Sequence, residues 1–206
     1  MELFNFFIQR WDSILELALE HIVIVITAML ISIALGIITG VLITYYNKSA
    51  KIVLSIAGIL MTVPSLALFS LLIPVMGIGK APAIAGIVIY TQLPIIRNVY
   101  IGIMNIDPSI IEAANGMGIS PRKIMYKIKL PLAFPVIMAG VRTSVVMGIG
   151  IGAIAAYIGA GGLGAYIFHG ISRSNDKMII IGAVLISVLT ILADKGLGRL
   201  QKHYEI

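Results

Sequence analysis

The chain has 206 residues, of which 59% are hydrophobic and 12% charged, and its mean hydropathy is +1.05. That composition excludes a soluble domain and fits one integral membrane domain. The net charge of +6 could suggest nucleic acid, but the basic residues flank apolar stretches, where membrane topology accounts for them, and the absence of cysteine excludes disulfides and thiolate metal sites.

Residues 1–21 carry Glu2, Asp12, Glu16 and Glu20 against Arg10, with Phe4, Phe6, Phe7 and Trp11 interspersed. A secretory signal opens on positive charge and ends in a small-residue cleavage site, and this stretch does neither. It reads as an interfacial segment with aromatic headgroup anchors, and residues 22–206 as the membrane domain. The first span, 22–46, is uncharged and long enough, at about 1.5 Å per residue, for a hydrocarbon core of about 30 Å. Its Gly36 and Gly40 are either a close-packing pair or the ordinary glycine of membrane helices.

The second span, 52–76, is interrupted by Thr62-Val63-Pro64-Ser65. Proline removes a backbone hydrogen bond, and in lipid the freed carbonyl needs a neighbouring helix, a hydroxyl or pore water. The break is therefore a pathway wall or a purely structural kink. The third span, 83–100, has a polar, kinked centre in Tyr90, Thr91, Gln92 and Pro94, and Arg97 near its end either snorkels to the headgroups or makes a gating contact.

A polar island follows at 105–131. Asp107 caps a helix that opens with Pro108, whose missing N–H is no loss in the first turn, and Gly118 ends it at an elbow that disfavours any residue with a Cβ. Ser120 and Pro121 start a second helix carrying Ile124, Met125 and Ile128 at helical spacing. The fourth span is 132–158, with Arg142 about two turns inside it and so expected to face protein or water; Gly148, Gly150 and Gly152 thin it for close packing. The loop 159–164, GAGGLG, lacks the Lys-Ser/Thr pair and the preceding strand of a phosphate cradle, and reads as a turn into a short helix at 166–172. The fifth span is 178–193.

Five spans put the termini on opposite faces. With the N-terminus outside, the inner segments hold Lys48, Lys51, Arg122, Lys123, Lys127, Lys129, Lys195, Arg199 and Lys202, against Arg10, Lys80, Arg173 and Lys177 outside. The positive-inside rule thus places the 105–131 hairpin, and the C-terminus, in the cytoplasm.

Glu112-Ala113-Ala114, then Gly118 after three residues, then Ile128-Lys129-Leu130-Pro131 after nine, resembles the EAA signature of membrane subunits of ABC-type importers. The segments TVPSLALFSLLIP (62–74), LPIIRNVYIGI (93–103), LPLAFPVIMAGVRT (130–143) and AAYIGAGGLGAYIFHGI (155–171) are similar to permease subunits of osmoprotectant importers for glycine betaine, carnitine and choline, although methionine and other small-solute permeases carry related blocks. The resemblance implies an all-α type I importer (MetI-like) transmembrane domain in a bacterial cytoplasmic membrane. It works with a second permease subunit, identical or paralogous, a cytoplasmic ABC ATPase dimer and an extracytoplasmic binding protein. ATP and Mg belong to the ATPase; this chain is non-catalytic and holds no cofactor or metal. The hairpin would be the coupling element, with Glu112 making a charged contact, Ala113 and Ala114 allowing close approach, Gly118 forming the turn, and Ile128, Leu130 and Pro131 fixing the second helix against the fourth span. A low-affinity pathway is expected along Thr62, Pro64, Ser65, Tyr90, Thr91 and Gln92. A secondary transporter would normally show an internal repeat and an intramembrane acid, and an enzyme a nucleophile with a base or a metal cluster; the sequence shows neither, with His21, His169 and His203 scattered near predicted interfaces.

Overall fold

The computed structural model describes residues 2–203, except the side chains of Glu2, Asn47 and His203; Met1 and residues 204–206, the outer ends of the two segments expected from sequence, lie outside the described residues. Every regular element among them is helical: α1 (Glu2–Gln9), α2 (Trp11–Ile43), α3 (Asn47–Thr62), α4 (Ser65–Met76), α5 (Lys80–Met104), α6 (Pro108–Gly116), α7 (Pro121–Ile124), α8 (Leu130–Ala155), α9 (Leu163–Ser172) and α10 (Asp176–His203). In lipid a helix satisfies its own backbone groups, so an apolar chain of this kind has little alternative.

Four helical runs are long and apolar enough to cross a membrane: Trp11–Ile43, Lys80–Met104, Pro121–Ile158 and Asp176–Lys202. The α3–α4 pair, bent by 100° at the Thr62–Ser65 break, makes a broken fifth. Packing shows that this pair returns the chain across the bundle. On α2, Gly36 abuts Ile95 and Gly40 abuts Val99, so α2 and α5 run parallel and the segment between them must cross back. α8 runs antiparallel to α5, with Gly140 on Pro94 and Asn98 and Gly148 near Ile87.

Three boundaries differ from those read in the sequence. The first span does not begin at residue 22, because α2 is helical from Trp11, with Asp12 in its first turn complementing the positive end of the helix dipole. The second span is an elbow rather than a mid-span kink. The hairpin's second helix does not dock on the fourth span but forms its first turns, through a π segment at Met125–Lys129.

The core joins α2, α5, α8 and α10. Val25 and Met29 meet Ile95, Val99, Ile137 and Ile149, with Leu189 and Ala193 against them. Large apolar side chains remain exposed along α2 at Val23, Ile26, Leu30, Ile38 and Leu42. Arg142 is paired as its position requires: Nη2 and Nε donate to Asp194 Oδ1 at 2.8 and 3.0 Å, and Nη1 to Gln201 Oε1 at 3.0 Å. The GAGGLG loop is more than a turn. The Gly162 N–H donates to Glu20 Oε2 at 2.8 Å, Lys80 holds the other oxygen at 2.7 Å, and a Cβ at Gly161 would lie 2.1 Å from the carboxylate. The loop therefore closes around an acid of α2, and Lys80 brings in α5. His21, expected near an interface, is buried between α2 and α8 and donates from Nε2 to the Ile149 carbonyl at 3.2 Å.

The glycines of α8 divide sharply. A Cβ at Gly140 would lie 2.7 Å from the Pro94 carbonyl oxygen and 2.6 Å from Asn98 Cβ, whereas at Gly150, expected to serve close packing, it would meet nothing within 4 Å. Gly140→Ala is therefore expected to destabilise by about 1–3 kcal/mol through forced separation of α5 and α8. Gly150→Ala should be neutral or stabilising by up to about 1 kcal/mol through helix propensity. Thermal unfolding in detergent micelles checks the pair; equal losses would mean that α8 does not seat on α5 through Gly140.

Candidate functional site

The hairpin is built from local rules. Asp107 accepts from the Ser109 N–H at 2.9 Å, which holds its carboxyl below the usual carboxylate range, and Pro108 occupies the first turn of α6. At the other end Gly118 takes φ +72°, its N–H bonds to the Asn115 carbonyl and the Ile119 N–H to the Ala114 carbonyl. These two bonds, with a left-handed glycine between them, are a Schellman closure, which satisfies carbonyls that would otherwise be orphaned. Pro121 then starts α7. Ser120 contributes its backbone carbonyl to Ile124 but no side-chain cap, contrary to the sequence expectation.

The π segment has a covalent cause. Pro131 has no N–H to return to the preceding turn, and the Leu130 N–H reaches back five residues to the Met125 carbonyl. The helix slips register around the Leu-Pro pair and continues as α8.

Side-chain placement divides the motif. Glu112, Ala113 and Gly118 are exposed, Ala114 is buried, Ile128 and Leu130 are half-buried, and Pro131 is exposed at the start of α8. Ala114 is therefore already covered within this chain. Met117, 71% exposed at the tip beside Gly118, was not singled out by the sequence reading; an apolar residue next to a helix-ending glycine in a polar island was the available signal.

The pathway candidates fall into two groups. At the α3–α4 elbow, Thr62 and Pro64 are exposed and Ser65 is half-buried; Thr62 Oγ1 donates to the Ile59 carbonyl at 2.7 Å. Tyr90 belongs with them, because its phenol donates to the Val63 carbonyl at the break. The neighbouring helix thus supplies the partner that the interrupted backbone needs. Thr91 and Gln92 instead join a network with two residues the sequence reading missed, Ser32 of α2 and Ser144 of α8.

Gln92 Nε2 donates to Ser32 Oγ at 2.9 Å, Ser32 contacts Thr91 Oγ1, Thr91 donates to the Ile87 carbonyl at 2.8 Å, and Ser144 donates to the Thr91 carbonyl at 2.9 Å. Thr91, Ser32 and Ser144 have no accessible surface. Gln92 also borders a groove of about 340 Å³ between α2, α3 and α5, otherwise lined mainly by apolar side chains such as Val53, Leu60 and Ile96. A hydroxyl inside a membrane span was the signal for each, alone among apolar residues at Ser32 and following Arg142 and Thr143 at Ser144. Among the described residues no cluster of three or more His, Asp or Glu could hold a metal ion.

The fold matches a chain from the inward-facing conformations of the MetNI methionine ABC transporter with a TM-score of 0.84, covering 94% of this chain and 96% of that one at 23% identity. Among curated proteins, the carnitine transport permease protein OpuCB of Listeria monocytogenes is 37% identical over 96% of this chain and 90% of its own length. The osmoprotectant import permease protein OsmW of Salmonella typhimurium is 39% identical over 98% and 96% respectively. Residues 32–205 match the model of the binding-protein-dependent transport system inner membrane component, so that the chain, a bundle of membrane-crossing helices with an exposed helical hairpin, belongs to that family.

Proposed function

We infer that this chain is the membrane-spanning permease subunit of an ATP-driven importer for a small osmoprotectant, a quaternary amine such as glycine betaine, carnitine or choline. The observation that carries the reading is the EAA hairpin, closed at Gly118, exposed at Glu112 and Ala113, and continuous with α8. The names of the relatives, carnitine and osmoprotectant permeases at 37% and 39% identity, support the substrate class. The methionine alternative has a likeness of fold behind it, at 23% identity.

In this reading the hairpin lies in the cytoplasm, as the charge asymmetry requires, with the N-terminus outside and the C-terminus inside. Glu112, Ala113 and Gly118 enter a cleft of an ATPase subunit, with Met117 at the tip. ATP and Mg bind that partner dimer, and this chain contributes no catalytic group or cofactor. Closure of the ATPases moves the hairpin, and α8 carries the displacement into the bundle without an intervening joint. A second permease subunit completes the pathway, and a loaded extracytoplasmic binding protein docks on the face opposite the hairpin. Directional coupling requires that the hairpin contact the ATPase differently in its two states.

Two predictions follow from this arrangement. In proteoliposomes with the cognate ATPase and binding protein, labelled betaine, carnitine or choline should accumulate with ATP and methionine should not. Gly118→Val places a β-branched residue at φ +72° and should lower uptake by roughly tenfold or more while the chain still inserts. Uptake that persists without the ATPase would transfer the chain to a secondary carrier class; accumulation of methionine alone would overturn the substrate.

The second prediction separates the candidates at the elbow and the groove, Thr62, Ser65 and Gln92, from Thr91, which is fully buried. Combined replacement Thr62→Val, Ser65→Ala and Gln92→Leu should reduce uptake with ATPase assembly intact. Thr91→Val, which breaks a buried network, should instead lower thermal stability by about 1–3 kcal/mol. Normal uptake by the triple variant removes the elbow and Gln92 from the pathway.

A further inference from the structure

Two cavities adjoin at the end of the bundle opposite the hairpin, the first between the early turns of α2, α9 and the start of α10, the second between α1 and α10. The first, about 340 Å³, is bordered by Arg10, Glu16, Glu20, Tyr166, His169 and Arg173. Tyr166 is only 3% exposed, and its phenol oxygen, in a side chain that borders this cavity, has no hydrogen-bond partner among the described residues. A buried donor of that kind calls for a ligand. Glu20 is already engaged by Lys80 and Gly162, so Arg10 and Arg173 face Glu16 with positive charge in excess.

The second cavity, about 460 Å³, is apolar and bordered by Leu3, Phe4, Phe7, Ile181, Val184 and Leu185. One packed cluster joins the two linings: Phe7 and Ile181, which border the second cavity, pack with Leu17, Tyr166 and Met178, which border the first. The sequence spacing aligns the two. Arg10, Phe7 and Leu3 fall on one stripe along α1 and its end, and Met178, Ile181 and Leu185 on another along α10, each changing from the polar cavity to the apolar one. Trp11, 48% exposed beside Arg10, is an amphipathic ring of the kind that settles at headgroup depth.

We propose that this is a phospholipid site, with the headgroup phosphate accepting hydrogen bonds from Arg10, Arg173 and the Tyr166 phenol, and an acyl chain lying in the groove between α1 and α10. Arginine suits a phosphate because its planar donors are held in a fork and remain charged. The apolar groove continues the site in the direction in which a lipid tail descends from its headgroup. No residue of the coupling hairpin or of the pathway candidates takes part.

Native mass spectrometry of the assembled transporter in detergent, titrated with phosphatidylethanolamine or phosphatidylglycerol and with glycerol phosphate as a headgroup control, tests the site. Wild type should retain lipid and ignore glycerol phosphate. Arg10→Gln combined with Arg173→Gln should weaken lipid binding about tenfold, Tyr166→Phe by a few-fold, and Val184→Trp, which fills the groove without touching the cations, by about tenfold. Lipid affinity unchanged in both the arginine and the groove variants overturns the proposal. Displacement of lipid by equimolar glycerol phosphate would make this a soluble-anion site. Loss of binding-protein-stimulated uptake in the arginine variant with lipid affinity intact would make it a protein docking face.

Discussion

Everything in this chain depends on how closely α5 can be held between α2 and α8. In a hydrocarbon solvent apolar side chains gain little by leaving lipid for protein, so helix association rests on contact at van der Waals range and on polar groups that have no other partners. Glycine notches provide the contact. Gly36 and Gly40 of α2 receive Ile95 and Val99, and Gly140 of α8 lies against the Pro94 carbonyl. At the same depth Ser32, Thr91, Gln92 and Ser144 exchange hydrogen bonds across all three helices. The close approach and the network require each other: hydroxyls reach backbone carbonyls on a neighbouring helix only when nothing larger than a glycine keeps the backbones apart.

In the proposed coupling, that closely packed centre gives the hairpin something to act on. α7, the π turn and α8 form one helical run from Pro121 to Ile158, so a force on the loop tip is transmitted along backbone hydrogen bonds instead of being absorbed in a linker. The register slip before Pro131 is the softest place in the run, because one bond is missing and the ladder is re-phased there. Arg142 then ties the middle of α8 to α10 through Asp194 and Gln201. A movement of the hairpin accordingly reaches α5 through packing and α10 through a charge pair.

The sequence revealed the elements whose cause is local. Asp107, Pro108 and Gly118 each fix one turn of backbone, and the structure has a cap, a first turn and a left-handed closure at those positions. The need for Arg142 to face a partner was also legible, because the cost of an unpaired charge does not depend on which partner is found. What remained hidden has non-local causes. Hydropathy marks which part of α2 lies in lipid, not where the helix starts, so the turns from Trp11 to Glu20 read as a separate segment. Proline signalled a break at 62–65 but carries no information about a 100° angle, which depends on what α4 packs against. The partner of Gly162 is 142 residues away at Glu20, and no spacing rule connects a glycine loop to that acid.

Thr91 shows why polar residues in a span are ambiguous, and it also constrains where a solute can pass. Its hydroxyl, that of Ser32 and that of Ser144 are all engaged within a site closed to solvent, so a passing molecule would have to break several hydrogen bonds before making one. The polar groups of the elbow, exposed Thr62 and half-buried Ser65, require no such opening. On the opposite side, Arg142 and Asp194 are 32% and 40% exposed beside Thr143, which is also exposed, in a cavity of about 370 Å³. Charged groups this far inside a helix bundle are costly against hydrocarbon even when paired. The face of α8 and α10 that carries them therefore suits protein or water better than lipid, and the α2 face of Val23, Ile26 and Leu30, where the exposed Thr27 hydroxyl bonds back to the Val23 carbonyl, suits hydrocarbon.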